Sequence, residues 1–434
     1  MLNFEPMTVA DIVDTLFPSN NPFRWVAFDG TATGPEDAEH TVRVTSPEGL
    51  SYIVTAPGDV GLARAWVTGG LVVEGEHLAY PYGVFDNLRT LYDSFQKPDA
   101  GALVRIMRSL RSMGAIQIQP IPEAEQASWL ERRVRQGLAV HSKQRDAEVI
   151  SSHYDVGNDF YELFLGDSMA YTCAYYPTPD ASLDEAQENK FRLVFEKLRL
   201  KPGDRHLDVG CGWGSMVRYA ARQGVHSLGV TLSKEQAEWA QSKIKEEGLE
   251  DLAEVRFLDY RDVSETDFDA ISSIGLLEHI GVGNYASYFQ FLSDKLRPGG
   301  VMVNHCITYP DNHKTDKGAF MNRYIFPDGE LTGSGTIIKM MQDNGFEVFH
   351  EENIRLDYAR TLRDWCLNLK DNWDEAVALA GENTAKLWGM YMAGSQWGFE
   401  HDVVELHQVL GIKLDSNGSR AGTPERRWWN DSVF

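Results

Sequence analysis

The stretch from residue 206 to residue 215 places three glycines between an apolar run and a helical segment. The apolar run ends at Val209 and predicts a buried strand, and residues 216–222 predict the helix that follows the turn. The glycines stand at alternate positions and are Gly210, Gly212 and Gly214. A backbone without Cβ atoms can turn sharply and lie against a ligand, so this order is typical of the first unit of a nucleotide-binding α/β sheet.

The spacing of these glycines distinguishes between nucleotide-like cofactors. It reads G-x-G-x-G, whereas dinucleotide-binding turns read G-x-G-x-x-G, and no Lys-Ser or Lys-Thr pair follows as in a phosphate-binding loop. Alone, the turn indicates only a nucleotide-like ligand, and its spacing favours S-adenosylmethionine (SAM) over NAD or ATP.

Strand and helix patterns alternate regularly after residue 205. Predicted strands lie at 205–209, 227–231, 254–258, 269–273 and 301–307, and predicted helices at 215–222, 234–247 and 285–296. Strands alternating with helices predict a parallel, doubly wound sheet. From residue 357 the chain is predicted to be helical, and its many aromatic side chains form core or the walls of a site for an apolar ligand.

A chain of 434 residues is long enough for two domains with appendages. We predict a smaller α/β domain at 1–120, a linker with capping helices at 121–150, a catalytic domain at 151–413 and a mobile tail at 414–434. Within the first domain we predict a helix at 8–17 and β-rich runs at 23–28, 41–45 and 50–55. This domain shows no nucleophile or metal cluster, so we expect it to give structural support or to contact lipid or a second copy of the chain.

Charge and cysteine content exclude several function classes. The net charge of −23 argues against nucleic acid as a partner, because phosphates would be repelled. No run approaches the roughly 18–20 apolar residues of a membrane span, and the N-terminus lacks the pattern of a secretion signal. The four cysteines are spread without a C-x-x-C pair. This disfavours structural zinc and a disulfide framework and fits a reducing cytoplasm.

Residues 101–145 are basic within this acidic chain. They contain three acidic side chains and eight basic ones, namely Arg105, Arg108, Arg111, Arg132, Arg133, Arg135, Lys143 and Arg145. One interpretation is a solvated helix face, and the other is a patch that binds phospholipid headgroups.

Seven short motifs occur in a fixed order along the chain. They are HYDVGNDFY at 153–161, YTCAY at 171–175, LDVGCGWG at 207–214, GVTLSKEQ at 229–236, SIGLLEHIG at 273–281, HCI at 305–307 and YIFPDG at 324–329. Together they closely resemble the cyclopropane-fatty-acyl-phospholipid synthase family across roughly residues 145–412, with a looser likeness at 61–75. The resemblance implies a doubly wound, seven-stranded, Rossmann-like class I SAM methyltransferase domain beside the smaller N-terminal domain.

The resemblance also implies a set of SAM-binding residues. They are Tyr171, Thr172, Asp208, Gly210, Gly212, Thr231, Leu232, Gln236, Tyr260 and Arg261. Most SAM enzymes carry an acidic residue at the position of Thr231, and this departure is shared with the family. Arg261 stands where relatives carry Glu beside the adenine, which leaves the polar contacts of the adenine open.

Catalytic residues follow from the same resemblance, since members of the family hold a bicarbonate ion as general base. The corresponding residues are Cys173, Glu278, His305, Ile307 through its backbone, and Tyr324. Singly, these residues have plainer interpretations. Glu278 would be an ordinary acid at a strand end, His305 a satisfied core histidine and Cys173 a small buried hydrophobe.

The expected reaction is methyl transfer from SAM to the cis double bond of an unsaturated phospholipid acyl chain. The resulting carbocation loses a proton from the new methyl group and closes a cyclopropane ring. A hydride shift before proton loss would give a 10-methylene chain instead, with a flavin-dependent reductase as a partner. Remaining alternatives are a methyltransferase for a soluble small molecule and a catalytically idle lipid-binding subunit. We expect a cytoplasmic protein that visits the inner membrane face, with a homodimer as an open possibility.

Overall fold

The computed structural model describes residues 6–122, 125, 157–313, 318–325 and 328–429. The elements before residue 123 are α1 (Val9–Leu16), β1 (Arg24–Ala27), β2 (Ala32–Thr33), β3 (Thr41–Val44), α2 (Pro47–Thr55), α3 (Asp59–Val67), β4 (Leu71–Glu74), α4 (Val84–Asp93) and α5 (Ala100–Ser112). The four strands form one sheet in the order β2-β1-β3-β4, in which only β1 and β3 are parallel among the described pairs.

The elements after residue 156 are α6 (Asn158–Leu165), α7 (Leu183–Lys197), β5 (Arg205–Val209), α8 (Ser215–Arg222), β6 (His226–Thr231), α9 (Lys234–Glu246), β7 (Ala253–Phe257), β8 (Phe268–Ile274), α10 (Leu277–Ile280), α11 (Tyr285–Lys295), β9 (Leu296–Thr308), α12 (Ser334–Asp343), β10 (Phe346–Asn353), α13 (Arg355–Asp371), α14 (Trp373–Ala380), α15 (Glu382–Glu400) and β11 (Glu405–Lys413).

The chain divides into two compact units that are not consecutive in sequence. The first comprises Met1–Arg132, Gly318–Ile325 and Leu369–Trp397, and the second comprises Arg133–Lys317, Phe326–Asn368 and Gly398–Phe434. This division differs from the consecutive domains predicted from the sequence, because two later segments group with the N-terminal residues. No helix in the described part of the chain is long and apolar enough to cross a membrane.

Helix α2 replaces a strand that the sequence analysis predicted. The β-rich run at 50–55 lies inside Pro47–Thr55, so that prediction is wrong. Ser46 caps the helix, its Oγ accepting from the Gly49 N–H at 3.1 Å, and Pro47 occupies the first turn, where its missing N–H costs nothing. The start signal from Ser46 and Pro47 outweighs the β-branched residues that follow.

The second unit is built on a seven-stranded sheet, as the resemblance implies. The strand order is β10-β11-β9-β8-β5-β6-β7. Strands β9, β8, β5, β6 and β7 run parallel as predicted, whereas β11 is antiparallel to both of its neighbours. The sheet is therefore mixed, and the prediction of an all-parallel sheet needs this correction.

Helices cover both faces of this sheet. On one face, Met302 and Val409 belong to a buried cluster with Phe289, Leu292 and Met341 of α11 and α12. On the other face, Val303 and Leu410, the next residues along the same strands, pack with side chains of α7 and α8. Alternate residues of one strand thus enter two different cores, which is the doubly wound arrangement.

Residues after β11 make defined contacts, although the sequence analysis predicts a mobile tail there. The Trp428 ring stacks on Phe349 with centroids 5.2 Å apart, and its Nε1 donates to the Glu196 carbonyl at 3.0 Å. Trp429 is buried. The prediction rested on lost periodicity, which does not register two adjacent aromatic anchors.

Candidate active site

The glycine turn lies directly after β5, at the carboxyl edge of the parallel strands. Gly210 and Gly212 both have positive φ values, 75° and 55°. A Cβ at Gly210 would approach the Leu276 side chain to 3.0 Å, whereas a Cβ at Gly212 would meet nothing within 4 Å. Gly210 is therefore required by packing, and Gly212 opens onto free space.

That space is an open pocket within the second unit. It is lined by Met169, Ala170, Tyr171, Thr172, Lys190, Phe191, Asp208, Gly210, Cys211, Gly212, Trp213, Ser215, Met216, Gln236, Ile274 and Gly275. The structure thus brings together six of the predicted SAM-site residues, namely Tyr171, Thr172, Asp208, Gly210, Gly212 and Gln236. A pocket beside an open glycine turn, at the carboxyl edge of parallel strands, is the usual place for a nucleoside-bearing cofactor.

Four other predicted SAM-site residues do not line this cavity. Thr231 lies behind Gln236, with its hydroxyl donating to the Gln236 Oε1 at 2.8 Å, while Leu232 follows it on the chain. The Tyr260 ring packs edge-on against Tyr288, with centroids 5.3 Å apart. Arg261 is held by Asp259, its Nε donating at 2.8 Å. The roles predicted for these four residues stay predictions.

Asp208 is held at the edge of the cavity by a buried chain of hydrogen bonds. The Ser272 hydroxyl donates to its Oδ1 at 2.5 Å and is itself 2.8 Å from the His206 Nε2. Because Ser272 gives its proton to Asp208, it must accept from the His206 Nε2–H. Burial raises the pKa of Asp208 to about 6 and lowers that of His206 to about 3. Neutral His206 therefore fixes the orientation of the carboxyl group without adding charge.

Lys190 is a cavity residue that the sequence analysis missed. Its side chain, on α7, is 1% exposed, and its Nζ donates to the Thr172 Oγ1 at 2.8 Å. Burial lowers its pKa to about 7. Gln187, one turn earlier, donates to the Thr172 carbonyl at 2.9 Å. The available signal was a lysine on the buried side of an amphipathic helix, where a charge is expensive unless it is used.

Glu278 lies on the short helix α10, just beyond β8. Its Oε1 accepts from the Ile307 N–H at 2.8 Å, while its Oε2 is buried without a hydrogen-bond partner among the described residues. Burial raises its pKa to about 7. The Ile307 N–H, predicted to serve the base site directly, is thus taken up in positioning Glu278.

His305 lies on β9 and is 1% exposed. Its Nδ1 is 3.1 Å from the Gln408 Nε2, and its Nε2 has no partner in the described part of the chain. Burial, with smaller contributions from Lys190 and Lys197, holds the pKa of His305 well below its usual range. Two predicted base-site residues of the second unit therefore each present one buried polar atom with an open hydrogen-bonding position, which a bound water or a ligand would satisfy.

Cys173 is fully buried in the second unit and stays a thiol, since burial raises its pKa well above the usual value. Its Sγ donates to the Ala174 carbonyl at 3.0 Å. Tyr324 belongs to the first unit, where its hydroxyl donates to the Glu125 Oε2 at 2.7 Å. Glu125 also accepts from Arg64 at 2.7 Å. The roles predicted for Cys173 and Tyr324 in the base site stay predictions.

Aromatic rings stand beside the cofactor cavity in the second unit. The centroids of Tyr171 and Trp365 are 5.3 Å apart, and those of Tyr161 and Trp213 are 5.2 Å apart. Trp365 is completely buried. Tyr171 and Trp213 thus give the cavity aromatic walls, whereas Lys190, Asp208 and Gln236 make other parts of its lining polar.

A family model described as mycolic acid cyclopropane synthetase matches residues 141–409. The chain belongs to this family. A curated relative from Mycobacterium tuberculosis, named probable fatty acid methyltransferase, is 53% identical over 425 residues and 98% of each chain. The cyclopropane-fatty-acyl-phospholipid synthase of Escherichia coli is 35% identical over 284 residues, which cover 65% of this chain and 72% of the relative.

Solved structures of cyclopropane synthases agree with this assignment. The structure of mycolic acid cyclopropane synthase CmaA1 complexed with SAH and CTAB is 32% identical, with a TM-score of 0.57, over 61% of this chain and 97% of the other. MmaA2 from Mycobacterium tuberculosis gives the same TM-score at 30% identity, over 61% of this chain and 98% of the other. As a member of the mycolic acid cyclopropane synthetase family, the chain is a SAM-dependent methyltransferase.

Proposed function

We propose that this methyltransferase moves the methyl group of SAM onto the cis double bond of an unsaturated phospholipid acyl chain and forms a cyclopropane. The observation that carries the proposal is the pair of buried, open atoms Glu278 Oε2 and His305 Nε2, since alkene methylation needs a base for a carbon-bound proton. The E. coli relative is named for the same product on the same class of lipid.

The side chains present fit SAM on the evidence of the cavity itself. When bound, SAM supplies an electrophilic methyl group. The glycine turn leaves room for the cofactor, Asp208 offers a carboxyl group to its polar end, and Lys190 holds Thr172, which also lines the cavity. Tyr171 and Trp213 supply apolar surface that excludes water from the reacting carbon atoms.

The hydrogen-bonding chemistry of the two open atoms also matches a small protic anion such as bicarbonate. When bound, bicarbonate would supply the base that removes a proton from the transferred methyl group. The Glu278 carboxylate, fixed by the Ile307 N–H, would accept a hydrogen bond from the hydroxyl of such an anion. His305 would donate from its Nε2 to an anionic oxygen, and a negative charge held there would stabilise a neighbouring carbocation.

A methylene-branched product is the second candidate. It arises from the same cation when a hydride shift precedes proton loss, so the same residues serve both outcomes. The relative with 98% coverage is named a fatty acid methyltransferase rather than a cyclopropane synthase, which favours keeping this product open.

The proposal is tested with SAM and vesicles of a monounsaturated phospholipid. We expect the acyl chain to gain the mass of one CH₂ group, with saturated lipid unchanged. If SAM binds and no unsaturated lipid gains mass, the proposal fails. A soluble small-molecule substrate would then be the better candidate.

We further propose that the first unit contacts the membrane through an exposed face of α5. Leu103, Val104 and Met107 are 48%, 49% and 43% exposed, although they are apolar. Arg108 and Arg111 share this face and are exposed as well. Apolar and cationic side chains on one helix face match the interfacial region of an anionic bilayer. The basic residues predicted at 132–145 lie outside the described residues.

Changing Leu103 and Met107 together to Ser is expected to weaken binding to phosphatidylglycerol vesicles by about tenfold or more, since two apolar side chains would no longer enter the interface. Vesicle sedimentation measures this, and SAM affinity should not change. Leu356 and Val403 of the second unit are exposed to 56% and 51%, so the same change there is the matched control. Equal sedimentation of both variants would contradict the proposed face.

A further inference from the structure

His305 belongs to a row of polar side chains that runs across three neighbouring strands of the second unit. Gln408 on β11 is directly opposite His305 on β9 and directly opposite Glu352 on β10. Residues that are paired across neighbouring strands point to the same face of the sheet. Gln408 is therefore placed by register between a histidine and a carboxylate, and it is itself 1% exposed.

Lys197, the last residue of α7, completes this row. Its side chain is fully buried, its Nζ donates to the Gln408 Oε1 at 2.6 Å, and it forms an ion pair with Glu352. Although burial opposes it, the nearby His350, whose Nε2 lies 3.6 Å from the Glu352 Oε2, and the charge of Lys197 lower the pKa of Glu352 to about 2. Burial lowers the pKa of Lys197, but the ion pair with Glu352 acts in the opposite direction and favours the charged form. A charged ammonium group can donate hydrogen bonds but cannot accept them.

The direction of every hydrogen bond in the row follows from that charge. Because the Lys197 ammonium only donates, the Gln408 amide must turn its oxygen towards it. The amide nitrogen then faces the His305 Nδ1 at 3.1 Å and can only donate. Nδ1 must accept, so the single proton of the neutral imidazole resides on Nε2. Nε2 is the atom without a partner among the described residues.

We propose that Gln408, oriented by the Lys197–Glu352 pair, is a positioning residue that fixes His305 as the Nε2–H tautomer and thereby makes the base site a donor towards an anion. This role of Gln408 extends the proposed function and rests on it, because the fixed tautomer matters only if His305 binds an anion. The opposite tautomer would present a lone pair to the anion and repel it. The buried Lys197–Glu352 ion pair thus sets the tautomer of His305 through the Gln408 amide that lies between them.

The test is the ring tautomer of His305 in the full-length, ligand-free protein, read from ¹⁵N chemical shifts after selective histidine labelling. His305→Gln identifies the signals by their loss. In the unaltered protein, Nε2 should show the shift of a protonated nitrogen and Nδ1 that of an unprotonated one. A protonated Nδ1 there would overturn the inference without any variant having to fold.

Gln408→Glu is the decisive substitution because it keeps the shape and reverses one hydrogen bond. A carboxylate accepts from Lys197 and also requires a donor at His305, so the proton should move to Nδ1. Lys197→Met frees the amide to rotate and should give a mixture of both tautomers. Unchanged ¹⁵N shifts in both variants would overturn the inference.

Bicarbonate dependence separates this inference from the proposed function. Gln408→Glu should raise the bicarbonate concentration needed for half-maximal turnover by at least about tenfold, with SAM affinity unchanged. If the His305 tautomer changes in Gln408→Glu but turnover does not depend on bicarbonate, the role of Gln408 in fixing the tautomer is supported and the proposed bicarbonate base is contradicted. If turnover depends on bicarbonate but the tautomer does not change in the variant, the base is supported and the role of Gln408 is contradicted.

Discussion

Glu278→Gln should lower turnover by about 10²–10⁴-fold while SAM affinity stays within about twofold of the unaltered protein. The amide can still accept from the Ile307 N–H, so the local fold is kept, but the carboxylate oxygen at the open position is lost. Single-turnover methylation of unsaturated phospholipid measures the effect. Glu330→Gln is the control, since Glu330 likewise accepts a backbone N–H, from Val282 at 2.8 Å, but is exposed. Full turnover in Glu278→Gln would remove Glu278 from the site.

The same substitution should stabilise the protein at neutral and alkaline pH. Burial raises the pKa of Glu278 from 4.5 to about 7, so the folded state disfavours the ionised form. The stability linked to this group is fully present below pH 4.5 and is lost as the pH rises through 7. The Gln variant does not lose this contribution to the free energy of unfolding, which corresponds to about 3 kcal/mol. Urea unfolding of both proteins at pH 5 and pH 8 measures the difference. If the free energy of unfolding changes equally with pH in both proteins, the raised pKa of Glu278 is contradicted.

Gly212→Asn should weaken SAM binding by about 10–100-fold, because a side chain would occupy the space beside the turn. Asn tolerates a positive φ better than other side chains, so the fold should survive. Isothermal titration with SAM measures the change. Gly248→Asn is the matched control. Gly248 also has a positive φ, 65°, and free space around it, but it does not line the cavity. Equal affinities in both variants would show that the cofactor lies elsewhere.

The sequence pattern predicted those strands and helices whose ends are marked by neighbouring residues. The strand at 205–209 and the helix at 215–222 were predicted to the residue, because their boundaries coincide with the glycine turn. Strands β10 and β11 were missed. Glu351 and Glu352 interrupt the apolar pattern of β10, as Gln408 does in β11, and only their tertiary neighbours explain these polar residues.

The cofactor and base sites divide in a similar way. Asp208, Gly210, Glu278 and His305 follow or end strands and occur in recognisable motifs. Lys190, Lys197 and Gln408 lie outside every motif that was quoted. Their contacts span 18 to 211 positions of the chain, so no local pattern could pair them.

The measurement that tests the account most directly is NMR of the lipid formed from methyl-¹³C-labelled SAM and a defined monounsaturated phospholipid. We expect the label in a cyclopropane CH₂ group of the acyl chain, with no vinylic protons. A labelled vinylic CH₂ group would identify the methylene product and retain the methyl transfer. Recovery of the phospholipid without label, from protein shown to bind SAM, would contradict the account.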